Sequence, residues 1–496
     1  MRKLLASLVV VVAGLGNASA AMANDGGLDT SWGGTGIVTF APGAQTVASV
    51  TKAYGTDKIV VAGITGATGN SIDTSFLARY NDDGSLDTTC VGSGYNTHRG
   101  ASDFLASDME VLADGSVVLV GQDTSAAPVG LVIKFDATCQ LDTTFGVAGI
   151  VDYTERQGII LSTVALGPNG SLVIGGHSAF APVDGGDSRP FVMKLNADGS
   201  FDTTFGDSSS GRWVAPANRE GYITDLLVHD DARVTFAGVQ FDATENQMVG
   251  RLSGVGGVDT SFANSGWYVP EAPNAERSQS IARRIDGGFV IVGTDHPEVG
   301  TNLTNLEGSV LCLTPNGQPD TTCGAAGRRT FSIDADDDAF WDVAVDDQGR
   351  ILIVGYANRA TTSYTDPSPV VMRLLPSLVV DQSFGTNGIV VPPLASGVLA
   401  SIERDRQGRL LASGFAYTAG GGDAKILRLD STNAPTTTTP APTTSTIASV
   451  PDTSTIAPQL LPATGDDASG SWAVVVMALG LGLLLGRRYA VNHSAT

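Results

Sequence analysis

Short apolar runs recur along most of this chain, and each is closed by a glycine or by a turn rich in Asp, Asn and Gly. Val117 to Gly121, Leu172 to Gly175, Phe289 to Gly293 and Ile351 to Gly355 are of this kind. Each follows a β-rich segment and a turn, so the pair reads as a hairpin. A third apolar run comes next, such as Phe76 to Tyr80, Val132 to Phe135 or Phe191 to Leu195. An Asp-Thr turn then leads to a fourth, such as Gly149 to Asp152 or Gly388 to Val391. Several runs do not alternate, as expected of strands buried on both faces. Helical periodicity is absent, so the pattern predicts an all-β chain built from four-stranded units.

The units repeat. Leu28-Asp29-Thr30-Ser31-Trp32 returns around Asp87, Asp142, Asp202, Asp259, Asp320 and Asp381. Successive Asp positions differ by 58, 55, 60, 57, 61 and 61 residues (87 − 29, and so on to 381 − 320). A period of that length belongs to solenoids and propellers, and four strands per unit selects a propeller blade. The first Asp-Thr turn is followed by only a fourth-type strand, Gly36 to Phe40, and the array stops after a third-type strand, Lys425 to Leu429. Each end lacks what the other has, so the N-terminal strand is expected to complete the last blade and leave no open sheet edge.

The recurring Leu-Asp-Thr-Ser/Thr-Phe-Gly, Asp-Gly and Val-Gly elements resemble the delta-60 repeat proteins, a β-propeller family. The resemblance spans residues 24–430. It implies a seven-bladed propeller and implies little about activity, because function must be argued from sites and not from the scaffold.

A second register accompanies the first. A basic residue sits eight positions before the repeated Asp in five units: Arg79 with Asp87, Lys134 with Asp142, Lys194 with Asp202, Arg251 with Asp259 and Arg373 with Asp381. Arg428 has no Asp eight residues later, and ring closure makes Asp29 its partner. The series reads as strand-to-turn ion pairs rather than as a cationic binding ring, since each cation meets a matched carboxylate. Before Asp320 the position is Cys312, and the aromatic after that turn is replaced by Cys323. Cys312 with Cys323, and Cys90 with Cys139 between neighbouring units, are the expected disulfides of an exported chain; four cysteines allow three connectivities.

Both termini point to export. Arg2 and Lys3 precede an apolar stretch, and small residues ending at Ala20 or Ala23 supply a signal-peptidase site, so residues 1–23 read as a signal peptide. At the other end Leu461-Pro462-Ala463-Thr464-Gly465 is followed by an apolar segment, 472–485, and by Arg487 and Arg488. This order resembles a Gram-positive cell-wall sorting signal spanning residues 461–496. The resemblance implies transient membrane insertion of the apolar segment as a helix, cleavage by a sortase between Thr464 and Gly465, and transfer of Thr464 to a peptidoglycan precursor. About fourteen apolar residues fall short of the roughly 20 of a stable span, which suits a transient stop. Residues 431–460 turn abruptly to Thr, Pro, Ala and Ser. That composition cannot bury a core and reads as a disordered, wall-spanning stalk.

The formal charge is −22, and removal of Arg2 and Lys3 takes it to −24. A protein so acidic repels phosphate backbones and anionic lipid, which argues against nucleic acid as a partner. The five histidines (His98, His177, His229, His296, His493) have no metal-ligand spacing. The acidic cluster Asp334, Asp336, Asp337, Asp338 lacks the glycine and terminal glutamate of a calcium-binding hand loop and reads as a solvated loop. No catalytic constellation, metal site or cofactor is expected. The sequence therefore predicts a secreted, cell-wall-anchored propeller acting as a surface binding or adhesion module for an extracellular protein or glycan. A glycan hydrolase and a ligand-free wall protein are the alternatives.

Overall fold

The computed structural model describes residues 25–66, 74–99, 103–124, 128–153, 158–178, 188–207, 210–241, 245–270, 275–296, 306–333, 336–359, 367–418 and 421–431. Ala20 and Ala23, His493, the sorting motif from Leu461 to Gly465 and its apolar segment lie outside them. So does nearly all of the Thr/Pro-rich stretch. Among the described residues no helix is long and apolar enough to cross a membrane.

The chain forms seven four-stranded antiparallel sheets. Their innermost strands are Gln45–Tyr54, Phe104–Val111, Ile159–Leu166, Gly221–Val228, Ala275–Arg283, Asp337–Val345 and Gly397–Arg404, which begin blades 1 to 7 in turn. These strands follow one another around a central axis, with blade 7 returning to blade 1. The ring closes as expected: Ile37–Phe40 is the outermost strand of blade 7, with Ile37 opposite Leu427 and Phe40 opposite Ala424. Apolar clusters fill the spaces between neighbouring blades. Val60 and Leu77 of blade 1 pack on Phe104, Met109 and Leu119 of blade 2, and Trp32 and Phe40 join Ile426 of blade 7 to Ile59 and Phe76 of blade 1. Each blade thus buries both faces, which is why its middle strands are continuously apolar.

One local device recurs in all seven inner strands. A β-bulge interrupts the pairing of the first two strands, at Ser107 in blade 2 and at the corresponding residue elsewhere. The bulge drives a backbone carbonyl toward the second strand, where the repeat always has glycine. A Cβ at Gly121 would lie 2.0 Å from the Leu105 carbonyl oxygen, and at Gly293 it would lie 1.8 Å from that of Arg277. The recurring glycine at the end of each apolar run is the residue that admits the bulge, and the bulge re-aims the following side chains.

Candidate binding cavity at the propeller axis

The six basic residues and aspartates read from the repeat are brought together in every case. The distances are 2.9 Å for Arg79–Asp87, 3.0 Å for Lys134–Asp142 and Lys194–Asp202, 2.8 Å for Arg251–Asp259 and Arg373–Asp381, and 2.7 Å for Arg428–Asp29. Each Asp also accepts the N–H and hydroxyl of the Ser or Thr two residues on, as at Thr89 and Ser31. Arginines of the series reach into the next blade: Arg79 donates to the Ala137 carbonyl and Arg251 to that of Pro315. Lys134, Arg251, Arg373 and Arg428 lie over the aromatic ring of their turn. Burial tends to raise the Asp87 carboxyl, but its bonds to Thr89 and the charges of Arg79 and Lys58 outweigh this and bring it down to about 2. The arginines thus also tie neighbouring blades, while the Lys134 and Lys194 pairs fix the strand to the turn within one blade.

The structure bonds Cys90 to Cys139 and Cys312 to Cys323. Where Cys312 displaces the cation, Asp320 is taken up by Arg284 from the hairpin of its own blade, at 2.5 Å. The acidic cluster departs from the solvated loop expected. Asp337 and Asp338 are buried at the entry to the inner strand of blade 6, because their carboxylates accept backbone N–H groups. Asp337 binds Leu306, and Asp338 binds Ile333 and Asn358. Asp334 lies outside the described residues.

The chemistry that repeat spacing did not reveal lies on the axis. A cavity of about 520 Å³ is lined by the inner strands of all seven blades. Just past each bulge the residues in blades 2 to 7 are Asp108, Thr163, Asp225, Ser280, Asp342 and Ser401, an alternation of carboxylate and hydroxyl that blade 1 breaks with Val50. Each carboxylate accepts the N–H of an inner strand in the following blade: Asp108 from Val164 at 2.8 Å, Asp225 from Ile281 at 2.9 Å, and Asp342 from Ile402 at 2.7 Å. Ser401 accepts from Thr51 in the same way and carries the belt across the seam. Ser280 Oγ lies 2.9 Å from Asp225 Oδ2 and 2.8 Å from Asp342 Oδ1. Burial pushes Asp225 and Asp342 up to about 6 and raises Asp108 as well.

Two residues further along, Lys52 of blade 1 stands between Glu403 of blade 7 and Glu110 of blade 2, with its Nζ 3.8 Å from Glu110 Oε2. Burial opposes the Lys52 charge, but the carboxylates of Glu110, Glu403, Asp108 and Asp342 more than restore it. The opposite wall of that tier is apolar: Ala165, Leu227, Ala282 and Ala344. Of the described histidines only His177 lines the cavity. Burial drops it to about 4, so it is neutral at pH 7. It packs on Tyr222, with ring centroids 5.6 Å apart, and His177 Nδ1 and the Tyr222 hydroxyl have no hydrogen-bond partner. Among the described residues no group of His, Cys, Asp and Glu side chains is arranged to hold a metal ion.

The fold defines the class, a seven-bladed β-propeller closed by its N-terminal strand. The model of a family described as a domain of unknown function (DUF5122) beta-propeller matches residues 56–89 and 167–205, which fall in blades 1 and 3. No curated protein matches the chain. Solved structures similar to it include polysaccharide lyase Uly1, at 10% identity and TM-score 0.43, covering 79% of this chain and 91% of that one. The β-propeller domain of the Trilobed protease from Pyrococcus furiosus is 8% identical with TM-score 0.40, covering 78% and 98%. Trypanosoma rangeli sialidase is 9% identical with TM-score 0.38, covering 77% of this chain and 55% of that one. Likenesses this distant carry no argument about activity.

Proposed function

We propose that this chain is a cell-wall-anchored surface propeller that works as a binding module, with the axial cavity as its ligand site. The observation that carries the reading is the cavity itself. Seven inner strands, most of them tied to the next by buried hydrogen bonds, hold a preformed concave surface with convergent polar groups, two of them unpartnered, the usual character of a ligand site. The placement at the wall rests on the sequence. The sorting motif at Leu461 to Gly465 makes the chain a substrate for a sortase and joins Thr464 to a peptidoglycan precursor, while the Thr/Pro-rich stalk holds the propeller clear of its anchor. The partners on this reading are that enzyme, the wall precursor and an extracellular protein or glycan.

A second reading, a glycan hydrolase, is favoured by Asp225 and Asp342. Carboxyls that titrate near 6 suit a general acid at neutral pH. Against it, both are bonded to backbone N–H groups of the next blade and serve as structural ties. The experiment is a glycan and matrix-protein array probed with the purified chain. A reproducible hit competed by the soluble ligand is expected. A blank array together with release of reducing sugar from a glycan would replace the binding reading with the hydrolytic one.

A further inference from the structure

We propose that the blade 4 to 6 side of the channel is a site for a small organic ammonium ion, held by Asp225, Ser280 and Asp342. The inference rests on the reading of the cavity as a ligand site and names the chemistry of that ligand.

The first argument is a count of protons. Ser280 Oγ is within hydrogen-bond distance of a carboxylate oxygen on each side, at 2.9 and 2.8 Å. A serine hydroxyl has one proton to donate. With both aspartates ionised, one of the two contacts sets oxygen lone pairs against each other with nothing between them. The arrangement therefore lacks one donor, which either a proton on one carboxyl or an incoming cation supplies. Thr163 Oγ1, 3.2 Å from Asp225 Oδ1, extends the chain of acceptors toward Asp108.

The second argument is the distribution of charge. The cavity lining holds five carboxylates (Asp108, Glu110, Asp225, Asp342, Glu403), and opposite them stand Lys52 and the exposed Arg283. Lys52 is an ammonium supplied by the chain itself. It lies closest to Glu110 on the blade 7, 1 and 2 side, and the one cation that the lining carries on the blade 4 to 6 side is Arg283, exposed at the end of the blade 5 inner strand, three residues beyond Ser280.

A third, independent observation is in the same cavity, on blades 3 and 4. Tyr222, 6% exposed, and His177, 4% exposed, line the cavity with their hydroxyl and Nδ1 unpartnered. Leaving such buried polar groups unmade costs about 1–3 kcal/mol each, and a ligand with hydroxyl or amine groups relieves that cost. An organic cation fits better than a metal ion because the oxygens of both aspartates already accept backbone N–H groups. They present spare lone pairs to N–H donors rather than a free set of ligands.

Binding then exchanges one positive charge for another. An ammonium ion donates to Asp225 and Asp342, and the proton held between them leaves to the buffer. The other titratable or charged groups on this cavity are Lys52, Asp108, Glu110, His177, Tyr222, Arg283 and Glu403. Lys52 stays charged and His177 neutral throughout the pH range that matters here.

The test is calorimetric titration of the full chain with glucosamine and with spermidine, and with glucose as the uncharged counterpart. Titrations at pH 7, 6 and 5 are run in two buffers of different ionisation enthalpy. We expect saturable binding of at least one ammonium probe and none of glucose. Affinity should fall about tenfold from pH 7 to pH 5, the proton competition of a site titrating near 6. Proton release should be a substantial fraction of one per ligand near pH 6. Asp225→Asn and Asp342→Asn should each weaken binding at least tenfold. Proton release is read on the unaltered chain, so the idea stays testable if a variant fails to fold. Failure of both amines to saturate, equal binding of glucose, or a pH-independent affinity would overturn the ammonium site. An array hit alongside such a failure would leave the binding module standing and remove only its proposed ligand class.

Discussion

Asp29→Ala and Asp142→Ala remove the same residue from the same repeat position, yet they should differ in cost. Asp29 lies at the seam. Its partner Arg428 has a side chain 1% exposed, belongs to blade 7, and also grips Asp82 of blade 1 and Ser31. Removing Asp29 leaves a buried guanidinium short of a counter-charge, which costs about 3–5 kcal/mol when nothing else compensates. The Asp82 contact at 2.9 Å remains, so the low end, about 3 kcal/mol, is expected. Lys134, the partner of Asp142, is 14% exposed on a flexible stem and can rehydrate, so about 1 kcal/mol is expected there. Both substitutions lose the same turn bonds, to Ser31 and to Thr144, so that part cancels. A ring of roughly 400 residues shifts by about 1–2 °C per kcal/mol. Scanning calorimetry should therefore show Asp29→Ala lower by about 3–6 °C and Asp142→Ala by about 1–2 °C. Equal shifts, or no shift for Asp29→Ala, would refute the idea that this pair latches the ring.

Three further outcomes follow from the same geometry. His177 is held down at about 4, so its neutral form favours the fold above pH 6.5 and that contribution is lost as pH falls. His177→Gln should gain about 2 kcal/mol on the unaltered chain between pH 7 and pH 5, measured by urea unfolding. Asp225 is raised to about 6, so ionising it at pH 7 works against the fold, and Asp225→Asn should be less damaging at pH 7 than at pH 5 in the same assay. Arg284→Ala strips Asp320 of the cation that replaces the missing basic residue and should cost about 1–3 kcal/mol. Arg233→Ala, whose Asp259 keeps Arg251, should cost under about 1 kcal/mol.

The blades, the closing strand and the ion pairs were legible because each recurs at a fixed distance from the repeated Asp. The carboxylate–hydroxyl belt was not, because it alternates between two residue types and varies in its offset from that Asp. A different anchor reveals it. Counting back seven positions from the hairpin-turn residues Gly115, Gly170, Ala232, Gly287, Gly349 and Gly408, all with positive φ, gives Asp108, Thr163, Asp225, Ser280, Asp342 and Ser401. The bulge keeps that spacing constant, since it adds the same extra residue in every blade. Arg284 escaped for another reason. It is 36 residues from Asp320 (320 − 284), and only the closed hairpin brings it into reach. Asp337 and Asp338 read as solvated because a cluster of acids usually is; the neighbouring N–H groups that bury them come from Leu306, Ile333 and Asn358.

The most direct test of the cavity as the ligand site is to fill it. Ala344 lines the channel from blade 6 beside the Asp342 position, and Ala344→Trp places an indole across the opening. The full chain and this variant, matched for melting temperature, are compared by equilibrium titration against the ligand recovered from the array. The account predicts that binding is lost with the channel filled. Unchanged affinity in the variant would contradict it and move the binding surface off the propeller axis.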